Sequence, residues 1–352
     1  MSLEFEISVV IPVKDGEKFL PETLDALLNQ VNAPTFEVCI YNDGSSDGTQ
    51  SQIEVYVQRF RDAGIGYKFS GGDVAGGVGY AKNRAVRLAS AKYVCFNDAD
   101  DICQPNRLRT MFDEAEAISS GHEMLFLGSQ FSRIPDNSTT RYTNWANSIT
   151  DESIKVQIYT SNGPTLTAPT WFVSRSIFEV IGMFREEKHG YPEDLELFYR
   201  CLDDTRVKFH MVPEQLVVYR YHPECASFGV SEKTILKLRQ ERLRRDVLSS
   251  GHRFIIWNAG KQGKQFFKSL TADEKSRIVA FCDVDEAKIR RGVHEEFDEK
   301  TRSITHRIPI LHVRNAVPPL IVCVKQDMTN GEMEALIADK KWRDGVDLVH
   351  FG

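Results

Sequence analysis

The chain has 352 residues, 41% hydrophobic and 27% charged, which favours two domains and excludes a disordered polymer. A net charge of -6 argues against nucleic acid as a main partner, because a phosphate-binding surface needs a basic excess. The seven cysteines are odd in number and form no C-x-x-C pair, and no apolar run reaches membrane length. These features predict a cytoplasmic protein with free thiols rather than a disulfide scaffold or a membrane span.

In chain order, the β-branched run Ile7–Val13 reads as a buried strand and Leu20–Gln30 has helical periodicity. Glu37–Tyr41 is a second strand, stopped by Asn42-Asp43-Gly44. Ser51–Ala63 reads as a helix, Tyr67–Phe69 as a short strand, Gly79–Ser90 as a helix and Tyr93–Asn97 as a strand closed by Asp98. Such alternation predicts helices packed on a parallel sheet, with ligands beyond the carboxyl ends of the strands. The polar stretch Ser132–Thr150, which contains Trp145, is expected to be a mobile loop. Ser231–Ser250 is charged, lacks Gly and Pro, and predicts a connecting helix. At Gly251 the pattern restarts: strand Arg253–Trp257, a Gly-containing turn, a helix through Leu270, strand Ile278–Cys282 and the apolar run Leu320–Val324. The reading gives three parts: residues 1–230, a linker helix over 231–250, and a small domain over 251–352.

Four motifs carry chemistry. Asp43-Gly44-Ser45-Ser46-Asp47-Gly48-Thr49 follows a strand, so it is either a ligand-facing turn or a plain turn with a Ser/Asp helix cap. Asp98-Ala99-Asp100-Asp101 crowds three carboxylates at a strand end. That is costly unless a cation sits there, and hard divalent ions take such oxygens; the bland alternative is a solvated acidic turn. Glu193 and Asp194 open a helix, where a carboxylate can act as general base or simply complement the helix dipole. His222, in Tyr219-Arg220-Tyr221-His222-Pro223, can ligate a metal or contact phosphate.

Their order and spacing resemble glycosyltransferase family 2 over residues 5–230. SVVIPVKDGEKFLPETLDALLNQ is similar to the family's opening strand and helix, with Lys14 and Asp15 where Tyr–Asn is usual. YNDGSSDGT, GVGYAKNRAV, CFNDADD, GMFREEKHGYPEDLELFYR and YRYHPECAS follow in family order. The resemblance implies an α/β GT-A fold, a Rossmann-like mixed sheet flanked by helices. It also implies an inverting, metal-dependent transfer of a hexose or N-acetylglucosamine from a UDP-sugar to a hydroxyl of a glycan, protein or small molecule. Pro12, Asp43, Lys82, Asp98 and Asp100 would line the donor, with Asp43 at the base and Asp98 at the ribose. Asp100 and His222 would hold Mn²⁺ or Mg²⁺ in a D-x-D element, Asp194 would be the catalytic base with Glu193 beside it, and Asp101 would be structural. Trp171 and Tyr191 are candidates to stack on an acceptor ring. GVGYAKN, YRYHP and Trp257–Gly263 also resemble the beta-1,3-N-acetylglucosaminyltransferase-like type within the family.

In the last hundred residues, Asn258-Ala259-Gly260-Lys261-Gln262-Gly263 resembles a dinucleotide-binding turn with Asn in place of the first glycine, and Asp283 lies about twenty residues on. Gly260, Gly263 and Asp283 are therefore candidate nucleotide contacts in a small Rossmann-like domain. The bland alternative is a packing domain that holds a protein partner or a second copy. Two rival functions follow: a nicotinamide-dependent oxidoreductase working through this turn, and a non-catalytic sugar-nucleotide sensor.

Overall fold

The computed structural model describes residues 5–121, 124–187, 190–326, 328–329 and 331–352. It divides into two compact units, residues 1–155 with 162–236, and residues 156–161 with 237–352. The division falls inside the connecting helix rather than at Gly251. The short stretch Val156–Ser161 groups with the second unit, where Gln157 donates to Asp344 and the Tyr159 hydroxyl to Asp246.

The first unit runs β1 (Ile7–Val13), α1 (Leu20–Leu28), β2 (Phe36–Asp43), α2 (Thr49–Asp62), β3 (Gly66–Gly72), α3 (Val78–Leu88), β4 (Tyr93–Phe96), β5 (Ile102–Cys103), α4 (Arg107–Ile118) and β6 (Met124–Ile134). It continues with α5 (Thr140–Asn147), α6 (Asp151–Ile154), β7 (Phe172–Ser174), α7 (Ser176–Val180), α8 (Glu193–Asp203) and β8 (Val207–Arg220). Among the described residues eight strands form one mixed sheet, ordered β3-β2-β1-β4-β7-β6-β8-β5. β3, β2, β1 and β4 are parallel, as the β-α alternation predicts, and β7 then runs antiparallel to both β4 and β6. β1 and β2 are buried on both faces, as in a sheet covered by helices on both sides.

Two expectations fail here. The stretch 132–150 is no loop: β6 extends to Ile134, and α5 presents Trp145 inward, 6% exposed. Its polar residues occupy the outer face of a short helix, which composition alone does not separate from a loop. Trp171 is 1% exposed among Phe96, Phe126, Phe184 and Phe198, and its indole N–H donates to the Leu166 carbonyl at 2.7 Å. It is a core residue with no face for an acceptor sugar.

Helix α9 (Glu232–Asp246) leads into the second unit, which contains β9 (Phe254–Trp257), α10 (Lys261–Ser269), α11 (Ala272–Ser276), β10 (Ile278–Asp283), α12 (Glu286–Arg290), β11 (Val293–Asp298), β12 (Ser303–His312), β13 (Leu320–Val322), α13 (Glu332–Asp339) and β14 (Leu348–His350). Its sheet, ordered β11-β12-β10-β9-β13-β14, is parallel except for the β11–β12 hairpin. Asn258 follows β9 with φ +130, so it does adopt a backbone region that favours glycine. A Cβ on Gly263 would overlap the Asn258 carbonyl, which explains glycine there as close packing of α10 on the turn.

One buried cation secures the strand end on which the site depends. Arg107 is fully buried and donates to the Asn97 Oδ1, the Phe96 carbonyl and the Pro169 carbonyl, each at 2.8 Å. Removing the guanidinium leaves buried acceptors without donors, at about 1–3 kcal/mol for each group stranded. Arg107→Ala is expected to lower unfolding stability by about 3 kcal/mol in urea titration. A change below about 1 kcal/mol would show that water replaces the lost donors.

Candidate functional site

The carboxyl ends of β1, β2 and β4 lie side by side, since β1 pairs in parallel with both neighbours. The loops that leave β1 and β2 are tied together by their own polar groups. The amide of Asp15 donates to Ser45 Oγ, that of Gly16 to Thr49 Oγ1 and that of Glu17 to Asp47. In return Asp15 accepts from the Ser46 amide and Glu17 from the Gly48 amide. The Ser/Asp-rich turn thus braces the opening loop, and Asp15 is an active part of that brace. Pro12 sits partly exposed near the end of β1, in register with Tyr41.

Asp43 ends β2 and is 2% exposed. Its two oxygens accept the amides of Gly76 and Gly77 at 2.8 and 2.9 Å. Gly77 has φ +99 and precedes α3, so this carboxylate sets where that helix begins. Asn83 then docks α3 onto a distant segment: its Nδ2 donates to the Phe184 carbonyl, and its Oδ1 accepts the Phe184 amide. A side chain on Gly79 would overlap the Arg185 carbonyl, so the helix and this segment are in direct contact.

That docking brings Lys82 of α3 to the start of α8. Lys82 is 6% exposed and its ammonium donates to Glu193 Oε1 at 2.7 Å. Burial alone would weaken this ammonium, but the charges of Glu193, Asp98 and Asp194 outweigh it and hold Lys82 above the usual lysine range. Burial lifts Asp98 to about 6; Lys82 opposes the shift and Asp100 adds to it. Asp194 is likewise lifted to about 6, first by burial and then by Glu193, against the pull of Lys82. Its Oδ1 accepts the Leu195 amide at 2.7 Å. The predicted donor residues Lys82 and Asp98 and the predicted base Asp194 therefore share one electrostatic cluster. Glu193, next to Asp194 in the chain, has a partner of its own. Engaged with Lys82 and 7% exposed, it positions the ammonium.

The acidic turn divides by environment. Asp101 is fully buried; its Oδ1 accepts the Arg220 amide and its Oδ2 has no partner. Burial, then the charges of Asp100 and Asp98, push it well above the usual carboxylate range. Asp100 is partly exposed and its Oδ2 lies 2.7 Å from His222 Nε2. The Glu224 amide reaches His222 Nδ1 at 3.3 Å, which leaves Nε2 to carry the proton and donate to Asp100. Arg220 fixes this pair: its Nε donates to the Asp100 carbonyl and its Nη2 to Glu22. Ligand atoms of Asp100, His222 and Cys225 fall within 4.8 Å of one another, as do those of Asp98, Asp100 and Asp101. One group offers a carboxylate, an imidazole and a thiol and the other three carboxylates, donor sets that suit a borderline and a hard divalent cation respectively, and an ion at Asp100 and His222 would take the place of the shared proton.

Tyr191 is half-buried, with the Arg185 guanidinium 4.9 Å from its ring centre. Sequence reasoning singled out neither Arg107 nor the bracing role of Arg220, although Arg220 lies inside the Tyr-Arg-Tyr-His-Pro motif. In the second unit the candidate nucleotide turn is largely satisfied by its own groups. Asp283 Oδ2 accepts the Ala259 amide and the Lys288 ammonium, and its Oδ1 accepts the amides of Val284 and Asp285. The Gly260 amide donates to Asn258 Oδ1. Of the candidate nucleotide contacts, the Asp283 carboxylate and the Gly260 amide are therefore already bonded within the chain.

The family model described as Glycosyl transferase family 2 matches residues 8–182. An uncharacterized glycosyltransferase of Rickettsia prowazekii, RP339, is 23% identical over 217 residues, 61% of this chain and 64% of that protein. The amylovoran biosynthesis glycosyltransferase AmsB of Erwinia amylovora is 28% identical over 217 residues, 61% of this chain and 70% of its own. Against the Rickettsia relative the match thus spans under two thirds of that protein's length. Among solved structures, S. aureus TarS 1-349 in complex with UDP-GlcNAc aligns with a TM-score of 0.53 at 17% identity, covering 78% of each chain. This is a likeness of fold, a GT-A domain followed by a C-terminal domain.

A carboxyl whose folded pKa is raised contributes stability at low pH that is lost as pH climbs from its unfolded to its folded value. For Asp194 that window runs from about 4 to about 6. Urea unfolding at a series of pH values is expected to show the wild type losing on the order of 2 kcal/mol relative to Asp194→Asn between pH 4 and 7. Parallel curves would show that Asp194 titrates as an ordinary carboxylate.

Proposed function

The chain belongs to glycosyl transferase family 2, and from that premise we propose that it moves a sugar from a UDP-linked donor to an acceptor hydroxyl, with inversion at the anomeric carbon. The observation that carries the reading is the meeting of Lys82, Asp98 and Asp194 in one cluster, alongside the Asp100–His222 pair, at the ends of the parallel strands. UDP-GlcNAc in the complex of the fold neighbour supports UDP as the nucleotide and makes N-acetylglucosamine the first sugar to test.

Asp194, ionised above about pH 6, accepts the proton of the acceptor hydroxyl as that oxygen attacks the anomeric carbon. Lys82 holds Asp194 in its charged form and so tunes the pH at which it works. Asp98 turns towards the donor's ribose, and Asp43, by fixing the entry to α3, shapes the pocket for the base. Asp100 and His222 would hold Mn²⁺ or Mg²⁺, which when bound supplies neutralising charge for the leaving diphosphate. No protein nucleophile enters, so the displacement is direct.

The test is UDP release from a panel of nucleotide sugars, with and without added metal and candidate acceptors. Asp194→Asn is expected to lower turnover by at least about 100-fold while leaving UDP affinity within about threefold. Wild-type kcat/KM is expected to rise with pH through about 6. Loss of UDP binding in Asp194→Asn would remove Asp194 from the role of base. Full turnover after metal removal would take the cation out of the reaction.

A further inference from the structure

Arg133 is a buried charge that the transfer chemistry above does not use. It lies on β6, in register with Tyr219 of β8, and is 7% exposed. Its guanidinium lies 3.9 Å from the Tyr219 ring centre and between 5.1 and 6.0 Å from those of Phe131, Tyr142 and Tyr221. Aromatic faces attract a cation, but they do not satisfy its N–H donors as oxygen acceptors do. Among the described residues no carboxylate or carbonyl accepts a hydrogen bond from this group, and its Nε is sealed from solvent with no partner. Arg107 and Arg220, by contrast, each bond several oxygens. A largely buried guanidinium whose Nε has neither water nor an acceptor is costly to keep unless something else completes the group.

Its surroundings say what that is. The end of β6 bonds the segment carrying His222, since the Tyr221 amide donates to the Ile134 carbonyl at 2.8 Å. Arg133 bears on the Cys225 thiol, which is grouped with Asp100 and His222. Next to it, Tyr221 and Phe228 meet edge to face at 5.5 Å and are 37% and 56% exposed. The guanidinium is thus close to the Tyr221 ring, and its charge reaches the thiol that is grouped with the carboxylate–histidine pair.

We propose that Arg133 is an anion-binding residue of the transfer site, taking a phosphate or carboxylate through its guanidinium fork while Tyr221 and Phe228 offer ring faces to the attached sugar. This rests on the transfer reading above. The oxyanion has two sources, the donor's diphosphate or an acidic group on the acceptor, and the same chemistry serves both.

The full chain, Arg133→Met and Arg133→Lys are titrated with uridine, with UDP and Mn²⁺, and, at saturating UDP, with glucose 1-phosphate and glucuronic acid. Arg133→Met preserves bulk among the rings, and Arg133→Lys keeps the charge but not the fork. Arg133→Met is expected to keep uridine affinity and to lose at least tenfold in affinity for UDP or for the acidic sugars. Arg133→Lys is expected to lose at least threefold for the same ligand. A loss for UDP identifies the donor's diphosphate, and a loss confined to the acidic sugars identifies the acceptor. If the acidic sugars do not bind the wild type, the UDP arm alone decides. If Arg133→Met does not fold, Arg133→Lys decides by the same ratio. Variants that bind every ligand as the wild type does overturn the proposal. A wild type that binds neither uridine nor UDP removes the transfer reading itself, and this site with it.

Discussion

The ammonium of Lys82 meets carboxylates contributed by two other parts of the chain. Its hydrogen bond to Glu193 joins α3 to the start of α8, and its charge acts on Asp98 at the end of β4 and on Asp194 one residue beyond Glu193. Three carboxylates brought together without this cation would repel one another and drive their protons on at neutral pH. With it, Asp98 and Asp194 remain near 6, within reach of ionisation under ordinary conditions. The rest of the first unit can be read as what delivers Lys82 to that point. Asp43 fixes the beginning of α3, Asn83 clamps the helix to Phe184, and Arg107 secures the strand end before Asp98.

The acidic turn shows how environment separates chemically identical groups. Asp98 faces a cation, Asp100 a histidine, and Asp101 only a backbone amide in a sealed site. The first two are partly exposed, whereas the third is sealed, and burial pushes it well above the usual carboxylate range. Arg220 bonds the backbone of Asp100 with its side chain and the carboxyl of Asp101 with its amide, so it couples the turn to the segment bearing His222. Motion of that segment would therefore shift the Asp100–His222 pair.

Much of this was legible in the sequence because the signals were local. Hydrophobic runs bounded by polar turns give β1, β2, β4, β9 and β10 to within a residue or two, and the carboxylates that end β2 and follow β4, Asp43 and Asp98, belong to the candidate site. What was hidden depended on contacts between distant residues. Nothing near Glu193 announces that Lys82, 111 positions earlier, will occupy it. Trp171 looks like a sugar platform until the aromatic cluster closes over it, and the stretch around Trp145 looks like a loop until its apolar side finds the sheet. The turn at Gly260 illustrates the converse. Asn258 does adopt a glycine-like conformation there, yet Asp283 and the Gly260 amide, two of the candidate nucleotide contacts, are bonded within the chain. Local pattern specified the backbone there, and side-chain bonding decided what remained free.

The central claim is that the cluster around Lys82 and the Asp100–His222 pair together form the donor site. Crystals of the full chain grown with UDP and Mn²⁺, measured at the manganese absorption edge, test it most directly. The account predicts an anomalous peak bonded to Asp100 and His222 Nε2, with the diphosphate on the same ion and Lys82 still paired with Glu193. A manganese–UDP complex bound elsewhere, with the Asp100–His222 hydrogen bond intact, would contradict it.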